Sequence, residues 1–185
     1  MTVARGLRAL LAACVAAVLL QPALAQTPAP GVEGLAQQAP KEEPGAVVHF
    51  PATVPQGDAG LLTVPLPGSP QLHFMVDPSS VRRVGDSLVR YTLIAVSRSG
   101  FRNVSYEGLN CANDTWHVYA TWRAGARRWE SNTDADWLPV NVQSSFDVHG
   151  VLDRNYWCSA DFASGDATKL VERLRQGVHQ GFVGP

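Results

Sequence analysis

Residues 88–123 read LVRYTLIAVSRSGFRNVSYEGLNCANDTWHVYATWR, and the three alternating runs in that stretch decide the fold. In the first run, Val89, Tyr91, Leu93 and Ala95 make a wholly apolar face, while Arg90 and Thr92 mark the other. Ser99-Gly100 turns the chain back. Val104, Tyr106 and Gly108 then alternate with Ser105 and Glu107, as far as Cys111. A tight loop at Asn113-Asp114 leads into the third run, where Trp116, Val118, Ala120 and Trp122 alternate with His117, Tyr119 and Thr121. A period of two residues places successive side chains on opposite faces of a strand. Short turns between such strands imply an antiparallel meander.

The pattern extends in both directions. Upstream, residues 72–76 suit a strand, and Asp77-Pro78-Ser79-Ser80 suits a turn, because Asp77 can bond its own backbone and Pro78 fixes φ. Gly85-Asp86 makes the next turn. Residues 61–64 are apolar but are stopped by Pro65 and Pro67, whose missing N–H confines them to an edge. Downstream, Gly125 turns the chain and residues 127–130 pair back, whereas residues 144–158 read as irregular or partly helical. Asp166 suits an N-cap, Leu170, Val171 and Leu174 recur at helical spacing, and Gly177 sits where a C-cap glycine belongs. The expected fold is α+β: an antiparallel meander of four to six strands with a C-terminal helix packed on it and one disulfide.

The N-terminus carries an export signal. Arg5 and Arg8 form a positive n-region, residues 9–20 are apolar, Pro22 breaks the run, and Ala23-Leu24-Ala25 offers small residues at −3 and −1. The expected map is a signal peptide at 1–25, a flexible leader rich in Pro, Gly and Ala at 26–60, the folded domain at 61–178 and a tail at 179–185. Residues 47–50 are a candidate docking segment within the leader. No later stretch is long and apolar enough to span a bilayer. Localisation follows as periplasmic or secreted. Leu11-Ala12-Ala13-Cys14 also matches a lipoprotein box, and lipid anchoring through Cys14 is the alternative.

If Cys14 leaves with the signal, Cys111 and Cys158 remain, and an even pair in an exported chain points to a disulfide. Their wide spacing argues against a zinc site. Without Arg5 and Arg8 the chain holds 13 Lys and Arg against 16 Asp and Glu, a net charge of −3, too weakly and evenly charged for a nucleic-acid binder.

The remaining motifs carry little chemistry. Asn132, Asp134 and Asp136 match the first ligand positions of a calcium loop, but Trp137 stands where glycine is required and Gln143 where a bidentate glutamate is required. The five histidines are scattered, and Ser99 lacks the glycine frame of a nucleophile elbow. No metal, cofactor or catalytic set is expected. The alternative is a small envelope hydrolase or metal-dependent enzyme using Glu107 or a histidine. All five tryptophans lie between residues 116 and 157, and they read either as a core around the disulfide or as an exposed aromatic strip. In the second case Tyr106, Glu107, Tyr119, Arg123 and Trp129 are the candidate binding face for a protein or glycan partner.

The chain resembles the CNP1-like family of exported bacterial proteins. The likeness rests on Leu66-Pro67, Asp77-Pro78-Ser79-Ser80-Val81, Val89-Arg90-Tyr91, the run from Tyr106 through Glu107, Gly108, Leu109 and Asn110 to Cys111, Tyr119-Ala120, Trp129, Trp137 and Cys158. It covers roughly residues 61–175. A fainter likeness is to surface-adhesin E-like domains. The first resemblance implies location and fold, and it carries no activity to any residue. The resulting expectation is a non-enzymatic periplasmic or envelope module with a binding or structural role.

Overall fold

The three alternating runs form the centre of an antiparallel sheet. The computed structural model describes residues 47–67, 71–132, 134–144 and 146–177; the expected signal peptide, Cys14, most of the leader and the tail lie outside them. The strands are β1 (Leu62–Val64), β2 (Leu72–Val84), β3 (Leu88–Ser97), β4 (Arg102–Asn110), β5 (Thr115–Arg123) and β6 (Arg128–Ser131), each hydrogen-bonded to the next in sequence order. A two-residue strand, β7 (Leu138–Pro139), pairs with the free start of β5. The expected α+β meander is therefore found, with six strands in its main path.

The region read as irregular or partly helical folds into a short helix, α1 (Val148–Leu152), and a π-helical turn (Asp153–Trp157). A small hairpin of β8 (Cys158–Ser159) and β9 (Phe162–Ala163) follows. The terminal helix α2 (Ala167–Gln176) begins where Asp166 accepts a hydrogen bond from Lys169 N at 2.9 Å and ends at Gly177, whose φ of 64° is left-handed. Glycine takes that conformation without the clash a Cβ would bring.

Two irregularities depart from simple alternation. Asp77-Pro78-Ser79-Ser80 does not end a strand; it is a bulge inside the long β2, where the register jumps between Asp77 and Arg82. Asp77 Oδ1 accepts from Ser79 N at 2.9 Å and Ser79 Oγ at 2.7 Å, as the local chemistry predicts. Ser80 Oγ then donates to Asp77 O and accepts from Thr92 N, both at 2.7 Å, so a hydroxyl replaces a missing rung of the ladder. In β5, Tyr106 is opposite Ala120 while Glu107 is opposite Val118, which leaves Tyr119 as an extra residue. A bulge of this kind shifts the phase of every side chain beyond it. Trp116 accordingly faces the helices and Trp122 the other side of the sheet, although their spacing predicts one face.

Both faces of the sheet are covered. Val76, Val89, Tyr91, Leu93 and Leu109 pack against Val151, Leu152, Tyr156, Trp157, Leu170 and Leu174 from the helical layer. On the opposite face Met75, Ile94 and Val104 pack with Val54, and Trp122 and Trp129 flank them. The segment at 47–60, read from composition as part of a coreless leader, therefore contributes to a core. Trp129 Nε1 donates to Pro51 O at 2.8 Å, and the Phe50 ring stands edge-on to Tyr106 at 5.9 Å between centroids. This two-sided cover explains why β3 is buried continuously from Leu88 to Ile94, including Arg90 and Thr92, which the alternation assigns to a polar face.

Cys111, directly after β4, is bonded to Cys158 at the start of β8, with Cα atoms 5.4 Å apart. The bond fastens the helical layer to the sheet. Close approach also fixes Gly150 in α1: a Cβ there would lie 2.3 Å from Asn141 O, a backbone atom that cannot swing aside. Gly150→Ala should therefore destabilise the fold by roughly 1–3 kcal/mol, as overpacked sites do, and a urea melt measures it. An unchanged midpoint would show that the 141–147 loop gives way freely.

Candidate functional site

On the helix side, strand alternation sends Ser105, Glu107 and Tyr91 inward toward α1. Glu107 Oε1 accepts from Ser105 Oγ at 2.5 Å, and Oε2 accepts from Tyr91 Oη at 3.1 Å. His149 Nε2 meets the same Oε2 at 2.8 Å. On its other edge His149 Nδ1 lies 3.4 Å from Asp147 Oδ1. Asp147 is the N-cap of α1 and also accepts from the backbone N–H groups of His149 and Asn141. The indole of Trp116 stacks on the imidazole with centroids 3.7 Å apart and planes 13° from parallel.

The electrostatics follow from this packing. Burial alone would lower the His149 pKa, but the Glu107 charge and the hydrogen bonds to Asp147 and Glu107 outweigh it and raise the value to about 9. His149 is thus an imidazolium at neutral pH, held between two carboxylates. Burial, with the Glu107 charge added, pushes the Tyr91 hydroxyl well above its ordinary range, so it stays a donor. Burial opposes ionisation of Asp147, yet the bonds from His149 and Asn141 bring its pKa below the usual value. The Glu107 and His149 side chains are 4 % and 9 % exposed, and both Glu107 oxygens already hold donors. The arrangement can neutralise buried charge; it offers no free lone pair directed at solvent.

A third buried acid lies beside the disulfide. Asp153, Cys111 and Cys158 place ligand-type atoms within 4.8 Å of one another, and among the described residues theirs is the one such group of three. The two sulfurs are bonded to each other. Asp153 Oδ2 is buried without a hydrogen-bond partner. Burial and then the charge of Asp114, partly offset by Arg154, raise its pKa to about 7. For an acid raised in the folded state, the fold holds the proton more tightly than the unfolded chain does. Its contribution to stability therefore falls as pH rises from about 4 through about 7. Asp153→Asn should raise stability at pH 8 by about 1–3 kcal/mol while changing little at pH 4, measured by thermal melts at both.

The opposite face of the sheet holds a cleft of about 450 Å³. One wall is His49, Phe50 and Pro51; the other is the β2 bulge with Ser79, Arg82 and Arg83; Arg90 and Tyr106 form its base. Arg90 lies over the Tyr119 ring at 4.9 Å. Gly108 permits this ring to lie flat on β4, since a Cβ there would come within 2.8 Å of Tyr119 Cε2.

The candidate binding residues divide between these surfaces. Tyr106 and Tyr119 belong to the outer side but are each only 3 % exposed, and Trp129 is half-buried beside Phe50. Arg123 is exposed and ion-paired with Glu130. Glu107 points to the helix side, so it does not join the other four. The tryptophans also divide: Trp157 is fully buried in the disulfide core, its Nε1 donating to Leu170 O at 3.2 Å, while Trp137 stacks on His117 at 5.1 Å. Asn132, Asp134 and Asp136 are exposed.

His149 had a local signal, because Asp147 before Val148, Val151 and Leu152 reads as an N-cap and an apolar helix face. Its partner lies 42 residues away, beyond what spacing reveals.

Fold and site together define a disulfide-closed α+β domain, a six-stranded meander with helices on one face and an N-terminal segment on the other. The chain belongs to the CNP1-like family, whose model matches residues 39–175. That match includes the 47–60 segment that packs on the sheet. Neither a curated protein nor a solved structure matches the chain.

Proposed function

We propose that the chain is an exported, non-enzymatic module of the bacterial envelope, with a binding role exercised from the outer face of its sheet. The observation that carries this reading is the closure of the Glu107–His149 pair. A general acid or base must reach a substrate proton, and here both carboxylate oxygens are taken by Tyr91, Ser105 and His149. The outer cleft, by contrast, opens between two chain segments and is lined by polar and aromatic side chains. The disulfide suits an oxidising compartment, and the apolar run at 9–20 suits export. Among the described residues no helix is long and apolar enough to cross a membrane.

The rival reading, a hydrolase using Glu107, draws on the 2.8 Å contact with His149. A panel of ester, glycoside and peptide substrates separates the two. The expected result is no turnover that differs between the parent protein and a folded Glu107→Gln variant; turnover lost in that variant would establish the enzyme. Cell fractionation with mass measurement of the mature N-terminus tests export, with Gln26 expected as the first residue. An acylated Cys14 would show lipid anchoring instead.

A further inference from the structure

The geometry points to the cleft between the 47–51 segment and the β2 bulge as a binding site for a small organic anion, one carrying a carboxylate or phosphate head on an apolar body. The inference rests on the binding-module reading and specifies what such a module takes.

The first argument is charge. Arg82, Arg83 and Arg90 line this one cleft beside His49, and none of its lining residues is acidic, although Arg83 is ion-paired with Asp86 Oδ1 at 2.7 Å. Composition does not force such a cluster, because the whole chain carries 15 basic against 16 acidic residues. Arg82 and Arg90 are also direct cross-strand partners. Arg90 is buried and lies over the Tyr119 ring, whereas Arg82 is exposed, so Arg82 is the guanidinium that an entering anion meets. The Arg82 guanidinium is held against the bulge by Nη1, which donates to Ser79 O and Val81 O at 2.8 Å each. Those bonds fix the group's orientation and leave the rest of its fork available. A planar fork of N–H donors matches the paired oxygens of a carboxylate or phosphate.

The second argument is shape. Phe50 and Tyr106 meet edge to face within the cleft, and Pro51, Val47 and Val84 extend the apolar lining. A volume of about 450 Å³ is that of a small-molecule site. Charged donors at the bulge and apolar walls at the 47–51 segment call for a ligand with both characters.

Calorimetric titration of the oxidised full-length chain tests this, with octyl phosphate and octanoate as monomeric probes. Octyl glucoside serves as the neutral control and inorganic phosphate as the head group alone. Saturable binding of at least one anionic amphiphile is expected, with the tighter of the two naming the head group. Arg82→Glu should weaken it by at least roughly tenfold, as should a move to high salt. Phe50→Ala should weaken octyl phosphate and leave any inorganic phosphate binding unchanged. Thermal melts identify any variant that has lost its fold, and the salt series on the parent protein needs no variant. Equal binding of octyl glucoside, or binding indifferent to both Arg82→Glu and salt, would overturn the proposal. So would co-sedimentation with phosphatidylglycerol vesicles without any response to the monomeric probes, which would assign the cluster to a membrane surface. Glu107→Gln separates the two levels of the argument. Probe binding or turnover that follows Glu107 defeats the binding-module reading itself, whereas a silent cleft with no Glu107 dependence defeats only the ligand class.

Discussion

Reduction of the Cys111–Cys158 bond should cost the protein about 4 kcal/mol of unfolding free energy, the chain-entropy value for a closed loop of this length. The two cysteines are 47 residues apart in sequence. Between them lie β5, β6, β7, α1 and the π-helical turn, so opening the bond frees the unfolded chain over a quarter of its length. The native state also loses the covalent tie between the end of β4 and the hairpin that precedes α2. Small domains hold only about 5–15 kcal/mol in total, so the reduced protein should sit near the margin of folding. Urea melts of one preparation with and without reductant provide the measurement, and the double variant Cys111→Ala/Cys158→Ala serves as a check on residual reoxidation. Coincident midpoints would show that the helical layer stays in place through packing alone.

The second large effect is a pH dependence set by His149. Its folded pKa of about 9 stands above the ordinary 6.5, so the folded state binds this proton more tightly than the unfolded chain. The resulting stabilisation is complete below about pH 6.5 and is lost as pH rises through about 9, a change on the order of 3 kcal/mol. The groups that face the imidazole are Glu107, Asp147 and the Trp116 ring. Asp147 acts in the other direction: its lowered pKa adds stability that fades as the medium becomes acidic enough to protonate it. Denaturant melts from pH 5 to 10 should show the alkaline loss in the parent protein. In His149→Gln the overall stability should be lower and the alkaline slope largely absent. A parent and a variant with parallel profiles would remove His149 as the source.

The meander, the disulfide and the terminal helix were legible because each rests on local grammar. Val89, Tyr91 and Leu93 announce a strand by alternation, Asp166 and Gly177 bracket a helix, and Cys111 and Cys158 have one available partner each once Cys14 is set aside with the expected signal. The illegible parts depend on contacts distant in sequence. Nothing near Pro51 indicates that its carbonyl receives the Trp129 indole, 78 residues further on. A leader rich in Pro and Gly is easily read as coreless when the surface it covers is unknown. Arg90 and Thr92 look like a solvent face until that cover is seen. Asp77-Pro78-Ser79-Ser80 displays turn chemistry, and it does form the expected Asx-type bonds. Only the pairing of β3 on both sides of it shows that the strand continues.

The extra residue at Tyr119 has a consequence for how variation in this strand is to be judged. Substitutions along β5 alter what each side of the molecule displays, one position at a time. Removal of a single residue at the bulge would instead exchange inside for outside over the remainder of the strand, turning the Trp122 indole toward the helix side of the sheet and withdrawing it from Trp129. In related chains, a gap at this point would therefore count as a different molecular surface, even where every neighbouring letter is the same.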